Sequence, residues 1–490
     1  MTDPRRRVVI AGGGTAGWLS AAALVRQLGG LVDVTLVESD AMGTIGVGES
    51  TIPTARSFHR LLGIDEADFM RTTGATFKLG IAFEHWGRIG DRYIHAFGDV
   101  GRSTWMAGFQ HFWLEARGHG FGGALSDFCV EARALETGRF ATDDDSTLSH
   151  AYHLDAGRYA AYLRALAEGA GVRRAEGHIA EVERGPEGIA ALVLKSGERI
   201  AGDFFLDCTG FRALLIEGAL GVGYEDWRHW LPTDSAWAVQ TRAVTDPVPY
   251  TRAIAHDAGW RWQIPLQHRV GNGLVYDSRH LSDDTAQARL LDAIEGEPLT
   301  EPRLIRYRAG RRVRVWEKNC VALGLSSGFV EPLESTSIHL IMIGLTRLLQ
   351  LFPTEGDNAA LTARYNALTQ VELERIRDFV VLHYTLTERN DSAFWNACRT
   401  MDVPDTLGER IALFAESAQA YQGAEDLFRT DSWLQVMLGQ RLAPVAHHPM
   451  AALMGAQRLR ETLGGLRTDV EAGVNALPDY AAFLKGYCGA

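Results

Sequence analysis

Residues 6–28 read "RRVVIAGGGTAGWLSAAALVRQL": a short apolar run, a glycine-rich turn and an alanine- and leucine-rich stretch. The apolar run has the character of a buried strand, and the stretch after the turn has the composition of a helix. "VDVTLVES" follows as a second strand ending at Glu38. The order strand, turn, helix, strand predicts a βαβ unit. Gly12, Gly14 and Gly17 form GxGxxG between strand and helix, with Thr15 and Ala16 inside the same turn. Missing side chains there let the backbone turn tightly and approach a pyrophosphate at the positive helix N-terminus. Glu38 stands where a carboxylate accepts from ribose hydroxyls, so the unit predicts a bound dinucleotide.

Moving outward, "FFLDCTGF" places Asp207 and Gly210 after another apolar strand, and "NCVALGLSSGFVEPLESTS" repeats the strand-to-turn pattern at Gly324 and Gly328. Several such turns converging on one ligand suit an elongated flavin dinucleotide, FAD, better than a nicotinamide that docks and leaves. No second GxGxxG occurs in a βαβ context, which predicts that another protein or a loosely held reductant reduces the flavin. Strands are expected across 188–210 and at "GWRWQIP", 259–265, and "STSIHLIMIGLTRLLQLF" reads as a helix stopped by Pro353. From about residue 354 the pattern is helical. The reading is an α/β fold: a discontinuous, Rossmann-like, flavin-monooxygenase-type FAD-binding domain over 1–84 and 150–353. A largely helical substrate lobe is expected over 85–149 and 354–490.

The chain has 490 residues, more than one hydrophobic core usually supports, with 46% hydrophobic, 9% aromatic and 22% charged residues. Its net charge of −12 and the absence of a basic stripe argue against nucleic acid. No apolar run reaches the length of a membrane span, and "MTDPRRRVVIAGGG" turns glycine-rich too soon for a secretory segment. Five cysteines, odd in number and far apart, form neither a disulfide framework nor a CxxC metal pair, and no metal is expected. Cytoplasmic location fits, and a homodimer is the commonest assembly for such a chain.

Four features carry candidate chemistry. In "GWRWQIP", Trp260 and Trp262 share one strand face and form an aromatic wall that either seals a core or shields a chamber. In "TFKLGIAFEHW", Lys78 lies in a mainly apolar stretch; it either snorkels, pairs with an acid, or is placed there for chemistry. Glu334 in "EPLESTS" is either an N-terminal helix carboxylate or a proton acceptor. His95 and Phe97 in "YIHAFG" are either structural or ring partners for a substrate.

"GGGTAGW" (12–18), "GVGEST" (46–51), "FKLG" (77–80), "WRWQIP" (260–265) and "GFVEPLEST" (328–336) occur in an order and spacing that resembles the flavin-dependent tryptophan halogenases. The similarity runs to about residue 350 and continues more loosely through "DSAFW" and "DSWLQVMLGQ". The resemblance implies that reduced FAD, O2 and halide yield hypohalous acid, which crosses an internal tunnel to a separate aromatic substrate. It implies that Lys78 holds and activates the halogen and that Glu334 accepts the arenium proton or assists Lys78. Gly48, Glu49 and Ser50 would join the flavin site. Trp260, Trp262, Ile264 and Pro265 would line the tunnel and keep bulky substrates from the flavin.

The helix start at Ser335, Thr336 and Ser337 would cradle halide, chloride or bromide, by its dipole and amides. Many tryptophan-specific members have glycine at the position of Ser337. The resemblance places His95 and Phe97 around an indole, and implies a separate flavin reductase as partner. The segment 420–455 lacks the lid with which tryptophan-specific members clasp the amino acid. Indole, a substituted indole or another electron-rich aromatic is therefore the expected substrate, with tryptophan as an alternative. A single-component flavin monooxygenase that hydroxylates is the competing enzyme reading.

Overall fold

The computed structural model describes residues 5–41, 48–142 and 148–489, so Gly46 and Val47 of "GVGEST" lie outside the described residues. The chain divides into two compact units, each drawn from three segments.

The first unit comprises Met1–Ala75, Leu154–Leu231 and Arg306–Glu374. At its centre is β1 (Arg6–Ala11), where Val8 to Ala11 are buried. Burial on both faces explains the unbroken apolar run. The helix α1 (Thr15–Leu28) leads to β2 (Val32–Glu38), parallel to β1 with Val8 opposite Val34. Phe204–Asp207 lies parallel on the other side of β1, and Cys320–Ala322 is parallel to it in turn. Arg173–Glu176 extends the sheet beyond β2, and Trp316–Glu317 closes the far edge antiparallel, giving six strands. The expected strands near 205 and 321 thus meet the expected βαβ unit in one sheet. The helix Ser337–Gln350 ends just ahead of Pro353.

The second unit comprises Thr76–His153, Pro232–Ile305 and the chain from Arg375 onward. Seven strands order as Arg303–Arg306, Ser235–Arg242, Arg269–Tyr276, Gly259–Pro265, Tyr250–His256, Gly80–Glu84 and Arg92–Ala96. Antiparallel pairing links the four strands between Ser235 and Tyr276, and Tyr250–Ile254 joins Gly80–Glu84 in parallel.

This pairing corrects the expected partition. Residues 76–84 and 232–305 do not group with the dinucleotide fold, and residues 354–374 do. The second unit is built on a sheet, with helices such as Asp405–Ser417, Thr430–Gly439 and Ala456–Ala476 added from its last segment. Alternation identifies a strand but not its partner, and backbone hydrogen bonding assigned these strands to Gly80–Glu84.

Within Gly259–Pro265 the alternation is as expected: Trp260, Trp262 and Ile264 are buried, while Arg261 and Gln263 are half-buried. The two indole rings lie 6.1 Å apart at 56°. Gly273 is paired with Trp262 across the adjacent strand, and a Cβ there would collide with the indole. The wall therefore depends on a glycine on the next strand. Trp260 also packs on Trp86, with ring centres 6.3 Å apart.

Candidate active site

The dinucleotide turn has the geometry its glycines predict. Gly12 takes φ +108°, and a Cβ there would strike the Cys208 carbonyl. A Cβ on Gly17 would strike the Gly12 carbonyl, whereas nothing lies within 4 Å of one built on Gly14. Gly12 N donates to Val37 O at 2.8 Å and Cys208 N to Ala11 O at 2.9 Å, which ties three strand ends together. α1 has no side-chain N-cap and no acidic residue in its first turn. Its leading N–H groups, around Thr15, Ala16 and Gly17, are thus oriented for an anion. Gly324, at φ +68°, completes the floor: a Cβ there would lie 3.0 Å from Ala16 Cβ. Gly328, also left-handed at φ +155°, lies in the short strand beyond.

Glu38 is at the end of β2, as expected, and is already engaged. Its carboxylate accepts from Arg174 Nε at 2.6 Å and Trp18 Nε1 at 3.3 Å, and Arg164 lies 3.5 Å away. Asp207 departs from the expected cofactor contact. It is fully buried and its carboxylate accepts from Thr209 N and Oγ1 at 3.0 and 2.7 Å and from Leu215 N and Ile216 N at 2.8 Å each. Those donors satisfy both oxygens, so Asp207 shapes the turn that follows its strand. Near the described end of "GVGEST", Ser50 is buried and desolvation pushes the Glu49 carboxyl up to about 7.

The "EPLESTS" segment combines buried polar groups with an unusual backbone. Glu334, Ser335 and Thr336 are buried, Ser337 is half-buried, and Glu331 and Ser335 adopt left-handed φ of 46° and 61°. Such conformations in non-glycine residues cost about 1–3 kcal/mol each and concentrate at functional sites. Thr336 is the N-cap of Ser337–Gln350 and makes no side-chain capping bond, and the first turn holds no acid. Helix dipole and first-turn amides therefore favour a small anion here. Below that turn, Thr54 Oγ1 meets His339 Nδ1 at 2.9 Å, His339 Nε2 meets Glu372 Oε1 at 3.1 Å, and Arg347 donates to Glu372 Oε2 at 2.6 Å.

Lys78 belongs to the second unit and is completely buried. Snorkelling is thereby ruled out. Its Nζ lies 5.2 Å from the centre of the Phe97 ring, within cation–π range. Phe97 N donates to Leu79 O at 2.9 Å, which fixes that ring beside the lysine strand. His95 is buried and meets Phe97 edge-on, with centres 6.4 Å apart at 78°. His95 also faces Phe379 at 5.4 Å and Phe428 at 6.0 Å, and those two rings stack at 3.8 Å. Of the other nearby aromatics, Phe109, Phe112 and Trp113 are core, whereas Trp105 is exposed.

A family model described as "Tryptophan halogenase" matches residues 7–456. The chain belongs to the tryptophan halogenase family. As such it is a flavin-dependent halogenase, an oxidoreductase acting on an aromatic C–H bond. Tryptophan 6-halogenase SttH of Streptomyces toxytricini is 34% identical, over 96% of each chain. Among solved structures, Xcc4156, a flavin-dependent halogenase from Xanthomonas campestris, superposes with a TM-score of 0.97 at 55% identity and 99% coverage of both chains. BrvH, a flavin-dependent halogenase from Brevundimonas sp. BAL3, gives 0.94 at 45% identity and 99% coverage.

Several residues of this halogenase's candidate site escape sequence reasoning. Phe379 and Phe428 reach His95 from segments more than 280 residues away in the chain. Gln435 accepts from Ala96 N at 2.9 Å and donates to Ala96 O at 3.1 Å, so its amide caps the sheet's edge strand between His95 and Phe97. The "DSWLQVMLGQ" similarity pointed to that helix without indicating this contact.

Proposed function

We propose that this halogenase uses reduced FAD, O2 and chloride or bromide to make hypohalous acid, and that Lys78 directs the halogen onto indole or a substituted indole. The observation that carries this reading is a fully buried ammonium held against an aromatic ring, Lys78 over Phe97, with His95 alongside. The open space at Gly14 and the uncapped start of α1 fit an FAD pyrophosphate, which Gly12, Gly14, Thr15, Ala16 and Gly17 would hold. Glu38 would meet a ribose, and Gly48, Glu49, Ser50, Gly324 and Gly328 would complete the flavin site. When bound in reduced form, FAD with O2 supplies the two-electron oxidation that converts halide and a proton into hypohalous acid and water.

Ser335, Thr336 and Ser337 hold the halide at the helix start in this reading. Trp260, Trp262, Ile264 and Pro265 form a wall that keeps bulky organic molecules and water out. Both indole N–H groups of that wall are buried without a hydrogen-bond partner among the described residues. Lys78 donates a hydrogen bond to the oxygen of hypohalous acid. The carbon–halogen bond forms as the halogen–oxygen bond breaks, the oxygen departs as water with the lysine's proton, and Glu334 accepts the proton lost from the ring. Flavin reduction falls to a separate reductase, and five buried cysteines suit a cytoplasmic setting.

The test is mass spectrometry of purified protein with FAD, a flavin reductase, NADH, O2 and indole, run with bromide, with chloride and without halide. A product with the bromine or chlorine isotope pattern is expected, and Lys78→Ala should abolish it while FAD binding persists. Halogenation unchanged in Lys78→Ala would remove the lysine from the mechanism, and an oxygenated product without halide would replace halogenation by hydroxylation. Tryptophan in place of indole separates the two substrate readings.

A further inference from the structure

His153 has no part in the function described so far, yet it lies where two of the motifs meet. The strand Thr76–Lys78 pairs antiparallel with Ala151–Leu154, placing Thr76 opposite His153 and Lys78 opposite Ala151. Thr76 and Lys78, two residues apart, share one face of that strand. His153 is fully buried. Its Nδ1 lies 3.0 Å from Thr76 Oγ1, and its Nε2 lies 2.9 Å from Thr251 Oγ1. Thr76 Oγ1 in turn donates to the carbonyl of Pro265, the last residue of the tryptophan strand, at 2.6 Å.

The chemistry of these contacts fixes the proton. Thr76 has one hydroxyl proton, which goes to a carbonyl that can only accept, so His153 Nδ1 must be the donor toward Thr76. Nε2 is then the acceptor of the Thr251 hydroxyl proton. A neutral imidazole with its proton on Nδ1 therefore links three strands, those of Lys78, Thr251 and the Trp260–Trp262 wall. Burial and the charge of Lys78 both push its pKa well below the usual histidine range, which agrees with that form. Tyr480 Oη also donates to the lysine strand, to Phe77 O at 3.0 Å.

We propose that His153 is a positioning residue of the halogenation step, which sets the Lys78 ammonium against the tryptophan wall through Thr76, Thr251 and Pro265. The inference rests on the assignment of Lys78 as the halogen-directing group. It assigns to His153 no contact with substrate or flavin. Since misplacement by about 1 Å can cost on the order of 10²-fold in rate, loss of this link should release hypohalous acid before it is used.

The experiment compares the wild type with His153→Phe, His153→Asn, Thr251→Val and Lys78→Ala. For each it measures haloindole formed per NADH consumed, hypohalous acid escaping to soluble taurine, FAD affinity and melting temperature. His153→Phe keeps the ring and removes both hydrogen bonds; haloindole per NADH should fall about tenfold or more, escape should rise, and FAD affinity should stay within about twofold. His153→Asn, which restores an N–H toward Thr76, should recover part of the yield. Nitrogen NMR of the apoprotein should show the His153 proton on Nδ1. An unchanged haloindole-to-NADH ratio in His153→Phe, a loss matched by an equal loss of FAD affinity, or a proton on Nε2 would overturn the inference. Should His153→Phe not fold, Thr251→Val decides, with the same direction expected and no change in ratio overturning it. Full activity in Lys78→Ala would instead overturn the lysine assignment, a result distinct from any His153 outcome.

Discussion

Single residues in this halogenase are defined by what burial does to their charge. Lys78 and Glu334 are both fully buried, and placement of ionisable groups out of water is costly enough that such positions mark function or tight pairing. His59, which the proposed reaction does not use, shows the same physics. It is buried, its Nε2 meets Tyr159 Oη at 2.7 Å, and desolvation lowers its pKa from 6.5 to about 4. Its folded value is depressed, so the unfolded chain takes up the proton first as pH falls. Its contribution is present in full above pH 6.5 and is lost as pH drops toward 4, at roughly 1.4 kcal/mol per unit of pKa difference. Melting temperature followed from pH 8 to pH 4 should therefore decline through this window, and His59→Gln should flatten that decline. An unchanged slope in the variant would show that other groups govern acid sensitivity. At this scale the sequence made Lys78 conspicuous as a lone cation among apolar neighbours. It could not tell snorkelling from burial, because that depends on Phe97 and on the strand at Ala151.

At the scale of elements, turns do much of the work that the sequence reading gave to ligand contacts. Asp207 follows an apolar strand, and its position suggested a cofactor contact; in the structure four donors from residues 209–216 converge on its carboxylate. Asp207→Asn should turn an amide N–H toward backbone donors and cost about 1–3 kcal/mol, read as a lower melting midpoint in denaturant. A midpoint equal to the wild type would mean that the carboxylate is dispensable to the turn and would restore the ligand reading. The GxGxxG turn, by contrast, was legible from residues 6–28 alone, since the strand, the glycines and the helix are contiguous and their sterics are local. The Trp260–Trp262 alternation was legible for the same reason. Gly273, which makes space for Trp262, was not, because it comes from a neighbouring strand.

At the scale of the whole molecule, the GxGxxG turn and the "EPLESTS" segment belong to one compact unit, and Lys78 and its aromatic partners belong to the other. FAD binding to the native chain should stabilise it by about 2.7 kcal/mol at a hundredfold excess over Kd, a rise of several degrees in melting temperature. Gly14→Val, which fills the open space beside α1, should abolish that rise; a rise retained in the variant would place the flavin elsewhere. The sequence by itself determined the βαβ unit, its glycine turn, the strands near 205, 262 and 321, the helix ended by Pro353 and the order of the family motifs. Each of these is written in contiguous residues whose periodicity and sterics act within a turn or two. Only the tertiary structure decided that the strands within residues 80–96 and 235–306 form a sheet of their own, that Asp207 serves its turn, and that Phe379, Phe428, Gln435 and His153 stand beside the lysine and its aromatic neighbours. Those outcomes depend on which distant strand satisfies an exposed backbone edge and which distant side chain satisfies a buried polar atom, and neither is encoded in local pattern.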